Sequence, residues 1–185
     1  GRGCPALSGW FLPQGDTRWF FADADGRMGT GWLSDADGWH FLGEGGAAAS
    51  GWAYLGGSWF YFDPAGRGCP ALSGFFEVNG ERFFADSEGR LLVERWVDMG
   101  NGFFSFADSR GALSGLATCA ADGSMCLQGA SGLVTLGSSR LYCEAVTGKV
   151  LTGWQSVDGK WFFFDPSRGG AAATGWVQPY GRQWY

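Results

Sequence analysis

Apolar positions along the chain repeat with a long period. A glycine followed by a large apolar residue recurs at Gly9-Trp10, Gly31-Trp32, Gly51-Trp52, Gly74-Phe75, Gly115-Leu116, Gly132-Leu133, Gly153-Trp154 and Gly175-Trp176, with Arg95-Trp96 as a variant. The steps are 22, 20, 23, 21, 20, 17, 21 and 22 residues, so nine repeats of about 20 residues fill the chain. A fixed period of this length marks an array of small supersecondary units.

The best-kept repeat reads Gly153-Trp154-QSVDGK-Trp161-FFFD. Asp158-Gly159 between two apolar runs predicts a two-residue type I′ turn, in which both central residues have positive φ. Each repeat is therefore a β-hairpin followed by a connector such as GRMGT or GGAAAT. Centring the turn there pairs Val157 with Lys160, Ser156 with Trp161 and Trp154 with Phe163. Alternation then sets Trp154, Trp161 and Phe163 on one face and Gln155, Phe162 and Phe164 on the other.

All eleven tryptophans fall at two repeat positions. Trp10, Trp32, Trp52, Trp96, Trp154 and Trp176 follow the opening glycine or its replacement, and Trp19, Trp39, Trp59, Trp161 and Trp184 begin the second strand. A lone hairpin is marginal in water, so the repeats must stack and bury aromatics against neighbours, as solenoids do. The nine-mer GRGCPALSG occurs at 1–9 and 66–74, three hairpins apart, which predicts a winding that returns to the same azimuth every third hairpin. The expected fold is all-β, a solenoid of nine hairpins in one array over 1–185, with degenerate repeats at 115–152.

Composition agrees. Thirty-four glycines disfavour helices, and 17% aromatic residues provide apolar surface that a disordered chain lacks. A net charge of −5 offers no basic footprint for nucleic acid. No apolar run approaches the ~18 residues of a membrane span. His40 is the single histidine, assigned to an outward second-strand position, and Cys/His clusters are absent, so neither a metal or cofactor site nor a catalytic triad is expected. Asp25, Asp63, Asp86, Asp108, Asp158 and Asp165 recur in turns, where Asp serves turn geometry rather than acid–base chemistry.

TGWQSVDGKWFFFDPSRGGAAATGW at 152–176 and ADADGRMGTGW at 22–32 resemble the choline-binding, or cell-wall-binding, repeats of Gram-positive surface proteins and lytic enzymes. Glucan-binding repeats are similar to these. The resemblance implies a left-handed hairpin solenoid, part of a longer secreted or cell-surface protein, that attaches a further domain to a wall polymer bearing choline or phosphocholine. A polysaccharide ligand and a ligand-free stalk are the alternatives. It also implies aromatic boxes between consecutive hairpins, each holding a quaternary ammonium. By position, one box is Trp10, Trp19 and Met28 closed by Trp39 or Phe41. A second is Trp32 and Trp39 closed by Trp59 or Tyr61, and a third is Trp154 and Trp161 closed by Trp184, with Trp176 in the last repeat.

Departures from the pattern bear on those boxes. Trp52 and Trp59 face a repeat with Arg82 at the second-strand tryptophan position, and a cation there repels choline. Leu116, Met125, Leu133 and Leu141 take the tryptophan positions of repeats six and seven, which predicts a ligand-poor middle. Of the five cysteines, Cys4 and Cys69 sit in equivalent connectors too far apart to pair. An Asp122-Gly123 turn sets Cys119 opposite Cys126, predicting a disulfide there, with Cys126–Cys143 or free thiols as the alternatives.

Overall fold

The computed structural model describes residues 7–177, leaving Cys4 and Trp184 outside. The described chain is all-β. Strand β1 (Gly9–Phe11) pairs with β2 (Phe20–Ala22), β3 (Gly31–Asp35) with β4 (Gly38–Leu42), β5 (Gly51–Leu55) with β6 (Ser58–Phe62), and β7 (Gly74–Val78) with β8 (Glu81–Ala85). Strands β9 (Arg95–Gly100), β10 (Phe103–Ala107), β11 (Leu113–Cys119) and β12 (Met125–Leu127) form one sheet. Then β13 (Gly132–Leu136) and β14 (Ser139–Cys143) add a short β15 (Val150–Leu151), and β16 (Gly153–Val157) and β17 (Lys160–Asp165) add β18 (Ala171–Ala172). The chain divides into two compact units, one up to Phe76 with Ala85–Leu91, the other Glu77–Phe84 with everything from Leu92.

The predicted register of the best-kept repeat holds. Trp154 pairs with Phe163, Gln155 with Phe162, Ser156 with Trp161 and Val157 with Lys160. Asp158 and Gly159 have φ of 50° and 74°, as a type I′ turn requires.

Alternation gives each hairpin two faces, and which of them is buried corrects the sequence reading of His40. In β4 and β6 the tryptophan position is exposed and the residue after it is buried, so His40 points inward and is completely buried. Its counterparts Phe60, Phe83 and Leu141 are likewise buried, while Trp32, Trp39, Trp52 and Trp59 remain about two-fifths exposed. The tryptophan face is thus the outer, half-wetted face of these two hairpins.

Connectors join consecutive hairpins. In the first unit, Ala49 N–H donates to Phe41 C=O of its own hairpin, while Ala48 N–H donates to Trp19 C=O of the hairpin before. Leu72 and Ala71 repeat this toward Tyr61 and Trp39. Successive N–H groups of an extended segment point in opposite directions, so one connector serves two second strands. In the second unit, Val150 pairs with Cys143 of its own hairpin and Lys149 bridges to Cys126 of the one before.

The connector after the third hairpin reaches the first. The Trp10 indole donates to Asp35 Oδ2 at 2.7 Å, and its ring lies 4.6 Å from the His40 ring. The two His40 ring nitrogens face Asp35 Oδ1 at 3.0 Å and the Gly68 carbonyl at 2.9 Å. Burial raises the Asp35 carboxyl, but hydrogen bonds from Trp10, His40 and the Asp37 N–H outweigh it and hold it at about 2. Gly68 has φ +70°, and a Cβ there would lie 2.6 Å from the Trp10 ring, so only glycine fits.

In the second unit, repeats five and six depart from separate hairpins. Strand β11 opens at Leu113, before Gly115, and pairs along β10, giving the order β12-β11-β10-β9. Asp108 is buried behind this sheet and accepts from the Arg110, Ala112 and Ser138 N–H groups at 2.8, 3.0 and 2.8 Å. Burial pushes its carboxyl up, and these bonds more than reverse the shift, keeping it below the usual range. The repeated turn aspartates act alike: Asp63, Asp86 and Asp165 each accept a backbone N–H two residues on, whereas in the 22–30 connector Asp23, not Asp25, does so.

The expected Cys119–Cys126 disulfide is corrected. Cys119 pairs with Met125 and Thr118 with Cys126, so alternation sends the two side chains to opposite faces, and both are free thiols. The one-residue slip arises because Ala120 and Ser124, rather than Ala121 and Ser124, close the turn: Ser124 C=O accepts from Ala120 N–H.

Three outcomes follow. Gly68→Ala combines a left-handed backbone with overpacking and is expected to destabilise by about 2–5 kcal/mol. Gly31→Ala, at φ +78° in open space, meets only the backbone strain of about 1–2 kcal/mol; denaturant unfolding compares the two. Because the Asp35 carboxyl is depressed, its stabilisation is complete above its ordinary value near 4 and disappears as pH falls from about 4 to 2. Asp35→Asn should flatten the stability-versus-pH slope in that window. Burial raises the thiols of Cys69 and Cys143, whereas Cys119 is exposed. Alkylation followed by peptide mass mapping should therefore mark Cys119 in the folded protein and Cys69 and Cys143 only after unfolding.

Candidate functional site

A positional rule organises the aromatic boxes of the first unit. Each joins the two tryptophan positions of one hairpin, the inward second-strand residue of the next and the connector of the third. For the hairpin β3–β4 these are Trp32, Trp39, Phe60, and Glu88 with Arg90, which line one open cavity of about 270 Å3. The two indoles stand at 86° with ring centres 6.2 Å apart, and Phe60 lies 4.9 Å from Trp32. Phe41 packs edge-on to Trp32 from the same hairpin, at 5.2 Å. Trp32 and Trp39 are 43% and 41% exposed, enough to offer ring faces to a ligand. Such a corner suits a cation without hydrogen-bond donors, held by ring quadrupoles.

Sequence reasoning paired Trp32 with Trp39 but closed the pair with Trp59 or Tyr61. The structure closes it with Phe60, Glu88 and Arg90. The three-hairpin spacing of the repeated nine-mer, read only for the winding, was the one signal in the sequence for a connector so far along the chain.

The same rule explains why the first expected box does not assemble. Its third wall is His40, and its connector residue is Gly68, so the imidazole and backbone occupy the space beside Trp10. Trp19 packs onto the cluster of Phe60, Phe62 and Cys69. Met28 reaches toward Gly46, and Trp39 belongs to the neighbouring box.

Other expected positions divide among several environments. Trp52 and Trp59 form a second perpendicular corner, at 84° and 6.5 Å, with Tyr61 5.0 Å from Trp52. Trp154 packs on Phe163 at 5.3 Å, and Trp161 is 68% exposed. Trp176, with Phe163, Asp165 and Arg168, lines a cavity of about 490 Å3. Trp184 lies outside the described residues.

The degenerate hairpin β13–β14 shows what the box positions tolerate. Its second-strand tryptophan position is Arg140, opposite Thr135 as Trp39 is opposite Ser34, so Leu141 is the buried counterpart of Phe60. The Arg140 guanidinium lies over the Phe162 ring at 5.6 Å. Phe162 corresponds to Phe60, so in this hairpin one of the chain's own cations covers the third aromatic wall.

The comparisons with known proteins agree with this geometry. The cell wall binding repeat of the choline-binding type matches residues 50–67 and 152–167, the hairpins β5–β6 and β16–β17. No curated protein matches the chain. CbpJ from Streptococcus pneumoniae is similar at 25% identity and TM-score 0.52, over 97% of this chain and 58% of its own length. Choline binding protein F of the same organism, in the presence of a peptidoglycan analogue, is similar at 24% identity and TM-score 0.51, over 90% of this chain and 52% of its own. The chain thus spans little more than half of either protein. It carries cell wall binding repeats on the hairpin fold of the Streptococcus pneumoniae choline-binding proteins.

Proposed function

We propose that this chain is a wall-attachment module that binds the quaternary ammonium of choline on a cell-envelope polymer, at the surface of the cell. The observation that carries this reading is the half-exposed corner of Trp32 and Trp39, backed by the buried Phe60. Burying those indoles against the core would gain apolar burial, yet the hairpin turns them outward and buries Phe60, Phe62 and Leu42 instead. An aromatic wall contributes about 0.5–2 kcal/mol to a bound cation, so three supply roughly 2–6 kcal/mol. A millimolar site needs about 4 kcal/mol. Single sites are weak, and repetition along a polymer raises the effective affinity by about 10²–10⁴. The module's contribution is binding; any catalytic activity of the longer protein lies with what it is joined to.

Retention on a tertiary-amine resin and elution by free choline is the direct test. Elution by a soluble glucan, and not by choline, would move the reading to a carbohydrate ligand. Trp39→Ala removes one wall and should weaken choline binding about two- to thirtyfold, measured by tryptophan fluorescence titration, with unfolding stability little changed. Leu141→Ala should do the reverse: about 2–5 kcal/mol less stable, with choline affinity retained by the fraction that stays folded. Equal loss of binding in both variants would count against a ligand site at the tryptophans.

A further inference from the structure

We infer that Glu88 is a specificity-determining residue of the Trp32–Trp39–Phe60 box: its carboxylate, brought to the cavity by the connector of the third hairpin, strengthens the preference for a cation over an uncharged molecule of the same shape. This rests on the box being a quaternary-ammonium site.

The rings by themselves discriminate weakly. Trp32 and Trp39 are both about two-fifths exposed, and cation–π attraction is at the low end of its range at exposed sites. Covering the indoles with methyl groups rewards a trimethylammonium and a tert-butyl group alike. Stronger selection by charge calls for a fixed opposite charge, and Glu88 and Arg90 line the same cavity as the three aromatics.

Backbone contacts hold those two residues in place. Asp86 Oδ1 accepts the Glu88 and Arg90 N–H groups, each at 2.9 Å, and Leu91 N–H donates to Trp59 C=O at 2.8 Å. Between them Gly89, at φ +81°, lies so close that an added Cβ would be 2.9 Å from Ala71 Cβ and 3.5 Å from Phe60. The connector is therefore seated on the inner wall of the box by contacts that need neither the Glu88 nor the Arg90 side chain.

The sign of its charge follows from counting. Arg90 Nη1 is ion-paired with Glu88 and lies 3.8 Å from Asp86 Oδ2. Two carboxylates and one guanidinium leave one net negative charge beside the rings. Arg90 is thus a counterweight: it moderates the attraction that Glu88 supplies. All three side chains are partly exposed, so the effect is that of a surface ion pair and is screened by salt.

The test is titration of the folded chain, followed by tryptophan fluorescence, with choline and with 3,3-dimethylbutan-1-ol, in which a carbon replaces the charged nitrogen. Glu88→Gln leaves the connector neutral and should weaken choline about 1.5- to fivefold. Arg90→Gln leaves two negative charges and should tighten choline by a similar factor. Neither variant should change the affinity for the alcohol or the unfolding midpoint, and the changes in choline affinity should shrink as salt rises. Opposite shifts from two neighbouring residues, confined to the charged ligand, are not what a packing role produces. Equal loss of both ligands in Glu88→Gln, weaker choline binding in Arg90→Gln, or an unchanged preference in both variants overturns the inference and leaves the choline reading intact. A wild type that binds the alcohol as tightly as choline, or binds neither, overturns both.

Discussion

Everything in this fold depends on one constraint: a hairpin of five-residue strands has two faces, and it can bury only one of them. The connectors determine which. Each runs as a short extended segment whose N–H groups alternate between its own hairpin and the hairpin before, as Ala49 and Ala48 do toward Phe41 and Trp19. That arrangement covers the face bearing Phe60, Phe62 and Leu42, and these residues are almost completely buried. The tryptophan face stays outside, and its use follows from being left there.

Close approach of connectors to rings then separates open boxes from closed ones. Where the third connector brings Gly68 onto Trp10, with His40 as the facing side chain, a hydrogen-bonded lock fills the space. Where it brings Glu88 and Arg90 beside Trp32, and the facing residue is Phe60, a cavity remains. A histidine in place of a phenylalanine, and a glycine in place of charged residues, turn one architecture from an open cavity into a clamp. At Arg140 a third outcome appears, in which an internal guanidinium rests on the box's own phenylalanine.

These three fates explain why repeats with similar sequence need not share a role. Stacking is satisfied by any apolar residue at the inward position, as Leu141 shows. The outward positions are not needed for that burial, so the indoles kept there are open to selection for another purpose. Half-exposed tryptophan is an energetic concession in a folded chain, and a ligand that covers it recovers the lost burial.

The amino-acid sequence determined the repeat, the hairpin, the register around Asp158-Gly159 and the sharing of one face by both tryptophan positions. Each rests on local chemistry: alternation of side chains, and the positive φ that an Asp-Gly turn demands. Tertiary structure alone decided which face is buried, which connector closes which box, and that His40 is an internal clamp rather than a surface residue. It also decided the register at Cys119, where a turn closed by Ala120 and Ser124 slipped the pairing by one residue. The reason is distance along the chain. Glu88 lines one cavity with Trp32, and Gly68 meets Trp10, across 56 and 58 residues, and no local propensity records a proximity set by how three hairpins wind.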